Sequence, residues 1–214
     1  MKISRQEQNQ LYTPTMSRLL VLVPHRDARL EFQKWSAALF SAGMSDAYSF
    51  PCVAPIAALS EPLSHEELKT CALALRKLIS NGNDSKPHDG KLHTEEAARL
   101  DLQNTDVLFG LKLNLNINDN FFNDCYGEKS RSNIFLHVFS PVLIGVCIKQ
   151  TVCQKPGSDP DNPQLFFEKN NDTLPRISFR AAALANMSIR AIDGFSPGSY
   201  EWIIKKPCWL PSSP

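Results

Sequence analysis

The chain has 214 residues, 43% of them hydrophobic and 21% charged, which is the composition of a globular protein with one good-sized core or two small lobes sharing an interface. A net charge of +1 creates no field that would draw a nucleic acid or an anionic membrane, and no apolar run approaches the roughly 20 residues that span a bilayer. Neither is therefore expected as a partner, and the expected location is cytoplasmic.

The segment Met1 to Thr15 is polar and lacks the apolar stretch of an export signal. Met16 stands just ahead of the run Leu19-Leu20-Val21-Leu22-Val23, the pattern of a first strand. Residues 1–15 thus read as a disordered leader, as sequence upstream of the true start at Met16, or as a frayed terminus. Residues 16–214 read as a single two-lobed domain.

The first strand, Leu19 to Val23, closes at Pro24, and Asp27 is placed to cap a helix from Ala28 to Ala42. Phe32, Trp35 and Leu39 recur at helical spacing on that helix, and Gly43 follows as its stop. The apolar segment Tyr48 to Leu59 contains Pro51 and Pro55, so it is expected as an edge strand, a bulged strand or two short pieces. Ser64 and Glu67 then form a capping box, with Leu63 and Leu68 at the hydrophobic staple positions. The helix that follows carries Leu68, Cys71, Ala72, Leu75, Leu78 and Ile79 on one face and ends at Asn81-Gly82.

A polar loop over 83–91 and an ambiguous stretch come next. From Val107 to Asn118 apolar residues alternate with others, which predicts a long strand with one buried and one wet face. An Asn-rich connection, Asn118 to Asn133, leads to a strand over Ile134 to Ile148 with a bend at Ser140-Pro141. A loop over Lys155 to Pro163, a short strand near Leu165 to Glu168 and a turn over Asp193 to Ser199 are also expected. Ile177 to Ile192 stays open: its alanines favour helix, its isoleucines and Phe179 permit strand. Tyr200 to Ile204 is the last strand. This order predicts an α+β (mixed α/β) fold, a largely antiparallel sheet in two pseudo-symmetric lobes with two main helices in the first half.

No complete catalytic signature is present. There is no glycine-rich phosphate loop, no nucleophile elbow and no zinc-protease helix motif. His25-Arg26-Asp27 has the order of a kinase catalytic loop, but Phe32 stands where that loop needs its metal-binding Asn, and the better account of Asp27 is a helix cap. His88 and His93, with Asp89, Glu95 and Glu96, read as solvated loop residues rather than a metal site. His65 is expected to be exposed. His137 lies inside an apolar strand, where a histidine is a general base or, as expected here, a core residue hydrogen-bonded to backbone. The cysteines, Cys52, Cys71, Cys125, Cys147, Cys153 and Cys208, have no zinc-ligand spacing and read as free thiols in a reducing compartment.

One family resemblance follows from the order of elements. A strand, a long helix, the apolar strand Phe50-Pro51-Cys52-Val53-Ala54-Pro55-Ile56-Ala57-Ala58-Leu59 and a capped helix resemble one lobe of the LigT-like 2H phosphoesterases. His137-Val138-Phe139-Ser140 and the ending Ser199-Tyr200-Glu201-Trp202 are similar to later elements of that family. The resemblance implies two β/α lobes around a cleft, each supplying a His-x-Ser/Thr motif that acts on a phosphodiester. The first motif strand here has no histidine, and in the second Phe139 stands at the hydroxyl position.

Paired acid–base chemistry needs two proton-transfer groups, so the expected function is a catalytically degenerate domain, more a binder than an enzyme. It is expected to need no cofactor and to bind a nucleotide or other small phosphorylated ligand, or a protein. An active phosphoesterase with His137, His25 and Arg180 lining its cleft is the alternative. A module acting through the Asn-rich strand face and the C-terminal Trp-Pro tail is the third reading.

Overall fold

The structure, a computed structural model, describes residues 17–41, 50–81, 91–102, 106–117, 121–122, 125, 134–150, 176–191 and 200–210. The leader over 1–15, the loop 155–163, the strand near 165–168 and the turn 193–199 lie outside these residues, as does most of the loop 83–91 and of the Asn-rich connection 118–133.

Strand β1 (Ser17–Pro24) is followed by helix α1 (Arg26–Ser41), strand β2 (Ala54–Leu59) and helix α2 (His65–Asn81). The strands that follow are β3 (Leu92–Asp101), β4 (Asp106–Leu113), β5 (Phe135–Val138), β6 (Leu143–Gln150), β7 (Ser178–Phe179), β8 (Ala181–Ala191), β9 (Tyr200–Ile204) and β10 (Cys208–Trp209). All strand pairings are antiparallel, which gives the α+β class with its two main helices in the first half. Among the described residues no helix is long and apolar enough to cross a membrane.

One sheet runs β10-β8-β1-β2-β5, with β9 also on β8, and the other runs β6-β4-β3-β7. The chain passes between them four times, twice by short links. β5 pairs with β2 while β6, just beyond the Ser140-Pro141 bend, pairs with β4. β7 pairs with β3 while β8, one residue later, pairs with β1. The pairings therefore return on themselves, from β1 through both sheets and back to β1.

The central position of β1 explains its sequence. Leu20 and Leu22 face a core shared with Ala28 and Phe32 of α1 and Leu68, Cys71, Ala72 and Leu75 of α2. Leu19, Val21 and Val23 face the opposite core, with Ala183, Ala185 and Met187 of β8. A strand buried on both faces reads as a continuous apolar run rather than an alternation.

The capping box forms as expected. The Ser64 N–H donates to Glu67 Oε2 at 2.7 Å, the Glu67 N–H donates to Ser64 Oγ at 3.3 Å, and both staple leucines are buried.

Four sequence expectations are corrected or narrowed. Asp27 is not the cap of α1: the His25 carbonyl accepts the first helical bond, from Arg29 N–H at 3.1 Å, so His25 is the cap and Asp27 lies in the first turn. Of the three readings of Tyr48 to Leu59 the structure bears out the bulged strand and excludes the edge, because β2 lies between β1 and β5. Pro55 is tolerated there at an irregularity, where Leu20 pairs with Ala57 but Val21 pairs with Pro55, leaving Ile56 extra. β4 has no wet face at its start: Leu108 and Gly110 are buried like Phe109 and Leu111, because each face packs on a core, Leu111 on the one beneath the helices and Leu108 on the opposite one. The alternation holds only toward Lys112, Asn114 and Asn116, and the strand ends at Leu113. The fourth correction concerns His137 and belongs to the site. The open segment Ile177 to Ile192 forms strands as far as it is described, β7 and then β8 up to Ala191, with β8 as the neighbour of β1.

Candidate functional site

His25 is fixed by its backbone at the point where β1 hands over to α1. Its N–H donates to the Arg180 carbonyl at 3.0 Å, while its own carbonyl caps the helix. The imidazole stays open to solvent, with Nδ1 3.3 Å from Asp27 Oδ2. Asp27 sits where the helix dipole favours a carboxylate, and it can hold the ring's orientation through Nδ1.

Arg180 is the one residue between β7 and β8, and its side chain is exposed. Its backbone bond to His25 places it at the end of β1. His25 and Arg180 thus line one cleft of about 810 Å³, joined there by Arg76 from the last turns of α2 and by Lys91 just ahead of β3. Apolar surface comes from Ile79, Phe179 and Trp209. Phe179 is itself held by an edge-to-face contact with Phe32 of α1, the ring centroids 5.8 Å apart.

Three cations face this cleft and Asp27 is its carboxylate. Among the described residues, Arg76 and Arg180 form no ion pair with a carboxylate. Unpaired guanidinium groups suit the planar, two-point recognition of a phosphate or carboxylate. The arrangement binds anions well.

His137 is elsewhere. It lies on β5 opposite Ala58, it is exposed, and its ring meets Phe139 edge-on at 5.4 Å. The expected core placement fails because β5 is the end strand of its sheet, so the residues flanking Phe135 turn outward. The sequence candidates therefore divide: His25 and Arg180 come together, and His137 is not among the residues of their cleft.

The segment aligned with the family's first motif offers no acid or base. All six residues of β2 are buried, and the one ionisable side chain between Phe50 and Leu59 is Cys52. Burial pushes that thiol up to about 12, against a smaller opposing effect of Arg29. It is a proton carrier at no ordinary pH.

Of the loop residues considered for a metal, His88 and Asp89 lie outside the described residues. Glu95 and Glu96 instead pair with Lys112, at 3.2 and 3.5 Å, and no group of three metal-ligating side chains is gathered among the described residues. His65 is exposed at the start of α2, as expected.

Sequence reasoning missed Arg76 and Lys91. Each looks like one more charge on a wet surface; the packing of α2 against β8 and β10 sets Arg76 beside Arg180, and the pairing of β3 with β7 does the same for Lys91. It noticed Trp209 only as part of a tail. Compared with protein-family models, curated proteins and solved structures, the chain finds no match in any of the three.

Proposed function

We propose that this chain is a cytoplasmic ligand-binding domain on a 2H-phosphoesterase-like scaffold that has lost the catalytic pair, and that it holds a small phosphorylated ligand in the His25–Arg180 cleft. The observation that carries the reading is the meeting of Arg76, Lys91 and Arg180 from three separate elements in one concave site. Three cations gathered around a cleft with one carboxylate, Asp27, leave an excess of positive charge that an anionic ligand relieves. The scaffold half of the proposal is supported by β8, a strand paired with β1 in the way a two-lobed fold needs. The loss of the pair is supported by a first motif strand with no acid or base and a lone, exposed His137.

The His25–Asp27 contact favours a second reading, an active phosphoesterase with a non-standard residue set. One pair of measurements separates the two. Calorimetric titration with pyrophosphate is expected to show binding that weakens about tenfold in Arg180→Gln, the loss of a charge-assisted contact. Incubation with a 2′,3′-cyclic nucleotide is expected to give no product. Turnover that disappears in His25→Ala would replace the binding reading with the enzymatic one, and failure to bind pyrophosphate would remove the phosphate site.

A further inference from the structure

β9 pairs with β8 on one side, and among the described residues no strand pairs with its other side. The Lys205 N–H donates to the Asn186 carbonyl at 2.9 Å, one step beyond the pair Met187 and Ile204, which makes Lys205 a hydrogen-bonded position of the ladder. Such positions alternate in an antiparallel pair. Glu201 and Ile203 therefore also turn their backbone groups toward β8, while Trp202 and Ile204 turn theirs outward.

This open edge is apolar on both faces. Trp202 and Ile204 lie across from Ile189 and Met187 on the face of the core opposite the helices, and Trp202 is 43% exposed. Ile203 lies on the other face, between Glu201 and Lys205 in the alternation of the strand, and is 56% exposed. Outward backbone groups flanked by exposed apolar side chains are a template for another strand.

We propose that two copies of this chain pair antiparallel along β9, about a two-fold axis at Ile203, so that one sheet runs through both. With the axis there, Trp202 exchanges backbone hydrogen bonds with Ile204 of the second copy, and Ile203 packs on Ile203. Glu201 then stands opposite Lys205 of the second copy, and the symmetry makes this pair twice. Lys205 is exposed and forms no ion pair among the described residues. Glu201 accepts from Arg190 Nε at 2.6 Å through Oε2, which leaves Oε1 for a second cation. Moving the axis to Trp202 or Ile204 would set Ile203 against Glu201 or Lys205 and lose both ion pairs. A lysine on an open edge deters most strands, and here it selects one that presents a carboxylate opposite. The same patch is used on both copies, so the assembly closes at two.

The test is sedimentation of the full chain over a range of concentrations. A dimer of twice 24.0 kDa is expected, with a dissociation constant on the order of 10 µM, the weak end for a small interface. Ile203→Lys places like charges face to face on the axis and is expected to raise that constant about tenfold. Glu201→Lys and Lys205→Glu are each expected to do the same alone. Mixed in equal amounts, these two variants are expected to recover the parent's dimer to within about threefold, because every cross-strand pair is again of opposite charge. Leu136→Lys, at an exposed position on β5 at the other end of the sheet, is expected to change nothing. Circular dichroism of each variant must match the parent. A monomer at about 200 µM, some twentyfold above the expected constant, would overturn the self-pairing and leave the edge to a strand of another protein. A dimer weakened by Leu136→Lys and not by Ile203→Lys would likewise overturn it, and a mixture that fails to recover would overturn the axis at Ile203.

Discussion

Asn186 shows how much one polar side chain can settle in an apolar strand. It is 7% exposed on β8, and its amide copies a strand partner for Leu63. Oδ1 accepts from the Leu63 N–H at 2.9 Å, and Nδ2 donates to the Leu63 carbonyl at 2.7 Å. Leu63 is the staple residue ahead of α2, so this side chain ties the start of that helix to the sheet. Asn186→Ala leaves two buried backbone groups without partners, each worth roughly 1–3 kcal/mol, and is expected to destabilise the fold by about 3 kcal/mol. Urea unfolding should show the loss as a lower midpoint at unchanged slope; a change under about 1 kcal/mol would mean that Leu63 finds other partners. The Asn was legible as a polar interruption of Ala181 to Ile189, and within an Asn-x-Ser sequon that its burial now marks as a chance match. Its partner, 123 residues away, was not.

Cys52 yields a prediction of the same scale with a definite sign. Its thiol is pushed from the ordinary 9.0 up to about 12 by burial, so the folded chain keeps a proton that the unfolded chain releases in between. The stability held by the protonated thiol is intact below pH 9.0 and is lost as pH rises from there toward about 12. Alkylation reads this directly, because the thiolate is the nucleophile. Iodoacetamide at pH 9 is expected to modify Cys52 quickly in urea and at least tenfold more slowly in the native protein. Matching rates would show the thiol to be open.

At the scale of elements, the sequence spoke most clearly where a signal is local. The capping box, the buried stripe of α2 and the helical spacing of Phe32, Trp35 and Leu39 each lie within one or two turns, and each appears where expected. The errors and the alternatives left open lie where packing partners distant in sequence decide. Nothing within Tyr48 to Leu59 says that β5 will cover its outer edge, and nothing within Val107 to Asn118 says that both faces of Leu108 to Leu111 will be packed.

The close crossing of β4 and β6 gives this a consequence. A Cβ built on Gly110 runs into the backbone carbonyl of Ile144, while one built on Gly145 meets the ring of Phe50 and, at 2.9 Å, Leu108 Cδ1. Side chains can shift and a ladder carbonyl cannot without breaking the register of Gly110 with Gly145. Gly110→Ala is therefore expected to exceed the roughly 1–3 kcal/mol typical of overpacking, and Gly145→Ala to fall within that range. Chemical denaturation of the two variants side by side checks the order, and a milder Gly110→Ala would show that β4 and β6 separate easily.

At the scale of the whole molecule, the family resemblance implies two lobes, and two lobes can unfold one at a time. The packing argues against that here. The core beneath the helices draws on residues from Leu20 to Cys208, and the opposite core on residues from Leu19 to Ile189, so each spans nearly the whole described chain. The circuit of pairings adds to this. Separating the β6-β4-β3-β7 sheet would expose Leu108 and Leu143 from one core and Leu111 and Ile144 from the other, and would pull β7 and β8 apart at Arg180. Among the described residues no boundary leaves both cores intact, whereas independent domains each keep a core of their own. The expected outcome is a single cooperative transition in urea, with tryptophan fluorescence and far-ultraviolet circular dichroism giving the same midpoint. The probes are well placed to disagree if the idea is wrong, because Trp202 and Trp209 both sit on strands paired with β8, in the larger sheet, while circular dichroism reports on both sheets. Two separated midpoints would mean that the smaller sheet unfolds alone. Pyrophosphate should sharpen the same comparison. Its cleft takes Arg76 from α2, Lys91 from the edge of β3 and Arg180 from the link between the sheets, so bound ligand is expected to raise both midpoints together rather than one of them.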